Sequence, residues 1–163
     1  MMPAASRKTL DRLWAPWRYQ YVHRPRGGGC VFCRAKRARD ARRHWVVYRG
    51  RHAFVILNLF PYNNGHLMVA PLRHVARLRD LRDAELVELW RLVDEFIRRL
   101  DRTIRPHGYN LGVNLGRPAG AGIPGHLHVH VVPRWTGDTN FMPVTGGTKV
   151  ISHSLDAVYR LLA

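Results

Sequence analysis

A chain of 163 residues, 46% of them hydrophobic, is long enough for one compact domain with a real core. No apolar run nears the roughly 20 residues of a membrane span. Met1–Lys8 lacks an apolar stretch with a small-residue cleavage site, and two cysteines make no disulfide framework, so a cytoplasmic protein without a membrane partner is expected. The formal net charge is +16, and residues 1–51 hold 12 Arg and 2 Lys against only Asp11 and Asp40. Such an excess attracts nucleotides, polyphosphates or nucleic acid, although a run such as Arg34–Arg39 also serves as plain solvated surface.

Residues 1–29 read as a basic and aromatic extension that closes on Arg26-Gly27-Gly28-Gly29, a flexible joint. Trp14, Trp17, Tyr19 and Tyr21 interleave there with Arg12 and Arg18. Packing on the body or on a second subunit explains such aromatics better than base stacking does. Residues 30–137 form the main domain. Within it, 45–48 and 53–59 are rich in β-branched and aromatic types and predict strands. Pro61, Asn63, Asn64 and Gly65 predict a turn, and 66–70 a strand that Pro71 ends. Leu86, Leu89, Trp90, Val93, Phe96, Ile97 and Leu100 repeat at three and four residues, the mark of one apolar helix stripe. Asp83, Glu85 and Glu88 near its start and Arg98, Arg99 and Arg102 near its end complement the helix dipole, and Pro106 and Gly108 stop it. Residues 109–115 predict another strand, a glycine-rich loop follows, and 126–131 predict the next strand. Residues 138–163 form a tail, irregular until a short helix at about 153–162. Short turns between strands favour an α+β fold: an antiparallel sheet of about five strands with one long helix on a face.

The 126–131 segment carries the clearest chemistry. In Gly-His126-Leu-His128-Val-His130-Val-Val, alternation at period two puts the three imidazoles on one face. Leu127, Val129 and Val131 take the other face, where they anchor the strand in a core. A neutral imidazole is a good nucleophile towards phosphorus and a good leaving group afterwards. Clustering disfavours protonation and keeps a ring reactive near pH 7. Histidines at i and i+2 can equally bind zinc with a position open to water, and the strand alone does not choose between the two.

Two other motifs accompany it. Gly120-Ala-Gly122-Ile-Pro-Gly125 fits G-x-G-x-x-G, but a strand follows it where a dinucleotide fold needs a helix. Its glycines still let backbone N–H groups approach an anion. Cys30-x-x-Cys33 is half of a tetrahedral zinc site. His44 and His52 are wrongly spaced to complete a finger, and the His-x-Glu of a zinc deaminase is absent. A redox pair stays open, though without its usual βαβ setting.

The histidine segment resembles the H-φ-H-φ-H-φ-φ signature of the histidine triad family of nucleotide hydrolases and transferases. Leu57-Asn58 and Asn64-Gly65-His66-Leu-Met-Val-Ala-Pro71 resemble its nucleoside-binding strands, and Asn114-Leu-Gly116 with Ala119-Gly-Ala-Gly122 its phosphate loop. Pro133-Arg-Trp135, Gly137-Asp-Thr-Asn140-Phe141 and Thr148-Lys149-Val150-Ile151 are similar to the diadenosine-tetraphosphate phosphorylase-like branch. The resemblance implies a nucleotide substrate cleaved at the α-phosphate by His128, with His130 and His66 steadying the nucleophile or the phosphate. It implies Asn58 at the ribose, Asn114, Gly120 and Gly122 at the phosphates, and a homodimer. His126 would assist the leaving group or line the nucleotide. In zinc-bearing relatives a Cys-x-x-Cys pair joins two histidines, which implies a structural zinc on Cys30, Cys33, His74 and His126. Both roles for His126 cannot hold at once. Two other functions stay in view: a zinc-dependent hydrolase with the triad as ligands, and a non-catalytic binder of nucleic acid through the basic N-terminal third.

Overall fold

The structure, a computed structural model, describes residues 29–140, 142, 145 and 149–163. Apart from its last glycine, the expected N-terminal extension lies outside them, as do Phe141 and Thr148. Among the described residues the elements follow one another as α1 (Val31–Arg37), β1 (Val46–Arg49), β2 (Ala53–Leu57), β3 (Leu67–Pro71), α2 (Asp83–Thr103), β4 (Gly108–Val113), β5 (Val129–Arg134) and α3 (Leu155–Leu162). The strands form one antiparallel sheet in the order β1-β2-β3-β5-β4. The expected α+β architecture holds, with strand ends displaced by one to three residues.

Period-two alternation sorts the sheet into two faces. Val55, Leu57, Leu67, Val69, Val129 and Val131 meet Leu89, Leu92, Val93, Phe96 and Leu100 of α2 and Val158 and Leu162 of α3. Each fully buried aliphatic or phenyl side chain of that layer contributes roughly 1.5–3 kcal/mol. The opposite face carries Val46, Phe54, Ile56 and Ala70 beneath Phe32 and Ala35 of α1. His128 and His130 have the even parity of this second face. Helix α1 leaves little trace in the sequence, because a seven-residue element in a basic run offers only Phe32 and Ala35 as a stripe.

The stripe of α2 is rotated from its expected position. Leu86 and Trp90 are 37% and 45% exposed, while Leu92 and Glu85 are buried. The cause is polar. The Glu85 carboxylate accepts from the Arg82 N–H at 2.8 Å and from Arg73 at 2.6 and 2.7 Å, which draws the first turn inward on that side. The Arg73 guanidinium holds the Glu85 carboxyl down to about 2. Glu88 acts locally as well, its carboxylate accepting from the N–H groups of His52 and Ala53 in the β1–β2 turn.

Pro71 is the last residue of β3, as expected, whereas Pro133 lies inside β5. Pro133 is tolerated because β3 stops pairing at Leu67↔Val131, so no ladder partner awaits its missing N–H on that side. Its carbonyl accepts instead from the Asn63 side chain at 3.0 Å.

Candidate active site

Only His130 of the three histidines falls within the hydrogen-bonded part of β5; His126 and His128 lie in the segment leading into it. The Leu127 N–H donates to the Val75 carbonyl at 2.7 Å, which holds this segment against the chain that follows β3. His66 stands just before β3, Asn58 just after β2, and the two are tied by an Asn58 N–H to His66 carbonyl bond of 3.0 Å. The register Met68↔His130 brings His66 within reach of the triad. His66, His126, His128 and His130 are between 1% and 9% exposed, and Asn58 is 8% exposed.

Hydrogen bonds assign a tautomer to each ring. The Tyr62 N–H donates to His66 Nδ1 at 2.9 Å, so the His66 proton sits on Nε2. Nε2–H then donates to His130 Nδ1 at 2.9 Å, which puts the His130 proton on its own Nε2. His128 Nδ1–H donates to the His126 carbonyl at 2.8 Å, leaving a lone pair on Nε2. Burial, reinforced by the neighbouring His130 and His128, pushes His66 down to about 3. Burial, then His128, pushes His130 down to about 4. Burial lowers His128 too, against the opposing bond to the His126 carbonyl. All three rings are neutral at pH 7.

Two aromatic residues that the sequence does not single out frame these rings. Phe32 of α1 lies 4.9 Å from the His128 ring and 5.1 Å from that of His126. Tyr62 lies 4.6 Å from His66 and stacks on His130 at 5.8 Å. The position of Phe32 inside Cys-x-x-Cys was the available signal, since whatever fixes the cysteines also fixes the residue between them.

A second cluster adjoins the first. The ligand atoms of Cys30, Cys33, His74 and His126 lie within 4.8 Å of one another, so this group could hold a metal. Cys30 Sγ and Cys33 Sγ stand 3.3 and 3.7 Å from His126 Nδ1. Cys33 Sγ is 3.4 Å from His74 Nδ1, and the two Nδ1 atoms are 3.2 Å apart. His126 Nε2–H donates to the Pro71 carbonyl at 2.9 Å, which presents Nδ1 to the cluster. Both ring nitrogens of His126 are thereby engaged. Among the described residues this is the one group of three or more potential ligands that close together.

The loop between β4 and the histidine segment holds the remaining predicted residues. Asn114 follows β4 and is half-buried. Gly120 takes φ +88°, a conformation that suits glycine, and its N–H donates to the Arg117 carbonyl. Gly122 is half-buried. No helix among the described residues is long and apolar enough to cross a membrane.

Known proteins resemble this chain in sequence and in fold. The HIT domain matches residues 40–137. The AP-4-A phosphorylase of Mycobacterium tuberculosis is 44% identical over 166 residues, covering 96% of this chain and 85% of that protein. The asymmetrical bis(5'-nucleosyl)-tetraphosphatase of Schizosaccharomyces pombe is 36% identical over 93 residues, 57% of this chain and 50% of that protein. A hypothetical histidine triad nucleotide-binding protein from Sulfolobus tokodaii superposes with a TM-score of 0.64 at 25% identity, covering 82% of this chain and 89% of the other. A match over more than half the chain, joined to that identity over nearly all of it, places this protein in the HIT family.

Proposed function

We propose that this HIT-family nucleotide enzyme cleaves dinucleoside polyphosphates at the α-phosphate, through a nucleotide bonded to His128. One observation carries the reading: the bond from His128 Nδ1–H to the His126 carbonyl leaves an uncharged ring whose Nε2 lone pair is free. Nε2 attacks the α-phosphorus, and the bond to the bridging oxygen breaks. His130, protonated on Nε2, donates to the phosphate, and His66 holds His130 in that tautomer. Asn58 serves the ribose hydroxyls, while Asn114, Gly120 and Gly122 line the phosphates. Water or inorganic phosphate then takes the nucleotide from His128. The 44% identity to an AP-4-A phosphorylase supports this substrate class.

The Cys30, Cys33, His74 and His126 cluster is assigned to zinc. A tetrahedral ion with bonds of about 2.3 Å to sulfur and about 2.0–2.1 Å to nitrogen has ligand–ligand edges of roughly 3.3–3.8 Å. Four of the six separations among these atoms, 3.2 to 3.7 Å, match such edges, and all six lie within 4.8 Å. Two thiolates and two imidazoles close the coordination, so the ion's part is to hold α1 against the histidine segment. His126 therefore belongs to the metal site, and its backbone carbonyl, not its ring, serves His128. The same engagement of His126 argues against a zinc hydrolase built on the triad. The domain boundaries are taken as 1–29, 30–137 and 138–163, and the chain as cytoplasmic. Strand β4, at the sheet edge with Leu111 44% exposed, is the surface for a homodimer.

The test is incubation with diadenosine tetraphosphate, with and without phosphate, followed by acid trapping and mass spectrometry. An AMP adduct on His128 is expected, and His128→Ala should lose it together with at least about 10³-fold in kcat. ADP and ATP formed only with phosphate identify a phosphorylase; AMP identifies a hydrolase. Wild-type turnover in His128→Ala overturns the reading.

A further inference from the structure

We infer that a groove beside the histidine segment holds the departing nucleoside polyphosphate, with Arg77 and Arg79 gripping phosphates beyond the reacting one, and that the same place then receives inorganic phosphate as acceptor. The inference rests on His128 as nucleophile and adds a specificity site to it.

The groove has a volume of about 750 Å³ and runs between residues 76–79 and Leu115, Gly116 and Pro124. One wall is the segment that the Leu127–Val75 bond clamps alongside the histidines. The other is the loop that leads from β4 into those histidines. Both walls thus adjoin the histidine segment. Gly116, at φ +83°, turns its wall without a side chain to fill the space.

The lining has the chemistry of a nucleoside polyphosphate. Arg77 and Arg79 are exposed, and neither forms an ion pair among the described residues. Among the described residues no Asp or Glu lines the groove. Of the acids further along the chain, Glu85 is bonded to Arg73, and the Asp80 main-chain carbonyl accepts from Arg73 as well. Guanidinium groups bind phosphate oxygens in paired, planar fashion. Leu78 and Leu115, 43% and 49% exposed, supply aliphatic surface on which a base can lie. A substrate whose leaving group is a small amine would use neither feature.

The double displacement explains why acceptor and leaving group share this place. In the first step His128 Nε2 bonds to the α-phosphorus, and the bond to the bridging oxygen breaks with its electron pair leaving on the nucleoside polyphosphate. The leaving oxygen departs opposite Nε2, as in-line displacement requires. In the second step an oxygen of inorganic phosphate bonds to the same phosphorus from that vacated side. The Nε2–P bond breaks, the ring recovers its lone pair, and a nucleoside diphosphate departs. Two arginines on the vacated side favour an anionic acceptor over water.

The test compares the full-length wild-type chain with Arg77→Ala/Arg79→Ala and Arg77→Lys/Arg79→Lys. Three readouts are taken: kcat/KM for diadenosine tetraphosphate relative to adenosine 5'-phosphoramidate, KM for phosphate, and calorimetric affinity for inorganic tripolyphosphate. The double alanine variant should lower the first ratio, raise the KM for phosphate and weaken tripolyphosphate binding, each by about tenfold or more. The lysine variant, which keeps the charge but not the paired geometry, should restore part of each. Equal loss on both nucleotide substrates, or unchanged tripolyphosphate affinity, overturns the inference. If the wild-type chain forms no adduct on His128, the nucleophile reading fails by itself, and the tripolyphosphate titration still decides the groove.

Discussion

Three atoms of His126 reach in three directions: Nδ1 faces Cys30 and Cys33, Nε2 holds the Pro71 carbonyl, and the main-chain oxygen holds His128 Nδ1. One residue therefore joins the Cys/His cluster to the tautomer of His128. Phe32 makes a second link, since it is carried by the helix that begins after Cys30 and rests on the His128 ring. Losing the cluster should thus damage chemistry as well as stability. Cys30→Ser/Cys33→Ser is expected to retain less than about a tenth of the wild-type zinc, and to lose on the order of 10²-fold in kcat through misplacement of His128. Metal analysis by mass spectrometry and steady-state kinetics check this. Full zinc content, with activity sensitive to chelators, would instead favour the triad as a metal centre.

The β2–β3 connection positions Asn58, Tyr62 and His66, and it is held from outside. Asn63 Nδ2 donates to the Pro133 carbonyl and, at 2.7 Å, to Asp138, which also accepts from Arg134. Asn64 donates to Ser152 Oγ and accepts from the His153 N–H. The C-terminal tail thus braces the turn before His66. Gly65 sits there at φ +71°, where an added Cβ would lie 2.7 Å from Ile104 Cδ1 and 3.0 Å from Leu100 Cδ2. Gly65→Ala combines left-handed strain with overpacking, and a loss of about 2–4 kcal/mol is expected. Thermal unfolding should register it as a clear fall in Tm, and an unchanged Tm would contradict it.

Across the whole molecule, buried neutral histidines tie stability to pH. His66 and His130 titrate at about 3 and about 4 in the folded chain but near 6.5 when unfolded. Between those values the unfolded state binds more protons, so stability rises with pH in that window. The stabilisation is complete above about 6.5 and is lost as pH falls towards 4 and below. Denaturant midpoints measured from pH 8 to pH 4 should hold steady down to neutrality and then decline. His66→Asn should flatten the acid limb; an unaltered limb would count against this pair as its source.

Periodicity was a reliable guide where one physical effect acts alone. Period two in Val129–Val131 put the two valines under α2 and His130 on the other face, because a strand pairing on both sides has no freedom to rotate. Period three and four announced α2 but misplaced its stripe by Leu86 and Trp90. A buried carboxylate held by Arg73, a residue 12 positions earlier, outweighed the apolar pattern. The residue types of the triad and of Cys-x-x-Cys were open to reading, and so was their chemistry. Their protonation was not, since each ring's tautomer depends on an acceptor or donor that the fold supplies: the His126 carbonyl for His128, His66 for His130, Pro71 for His126. Local spacing determines which side of a strand or helix a residue faces. Only folding decides which distant group it meets there, because hydrogen bonds and ion pairs act over about 3 Å and carry no trace along the chain.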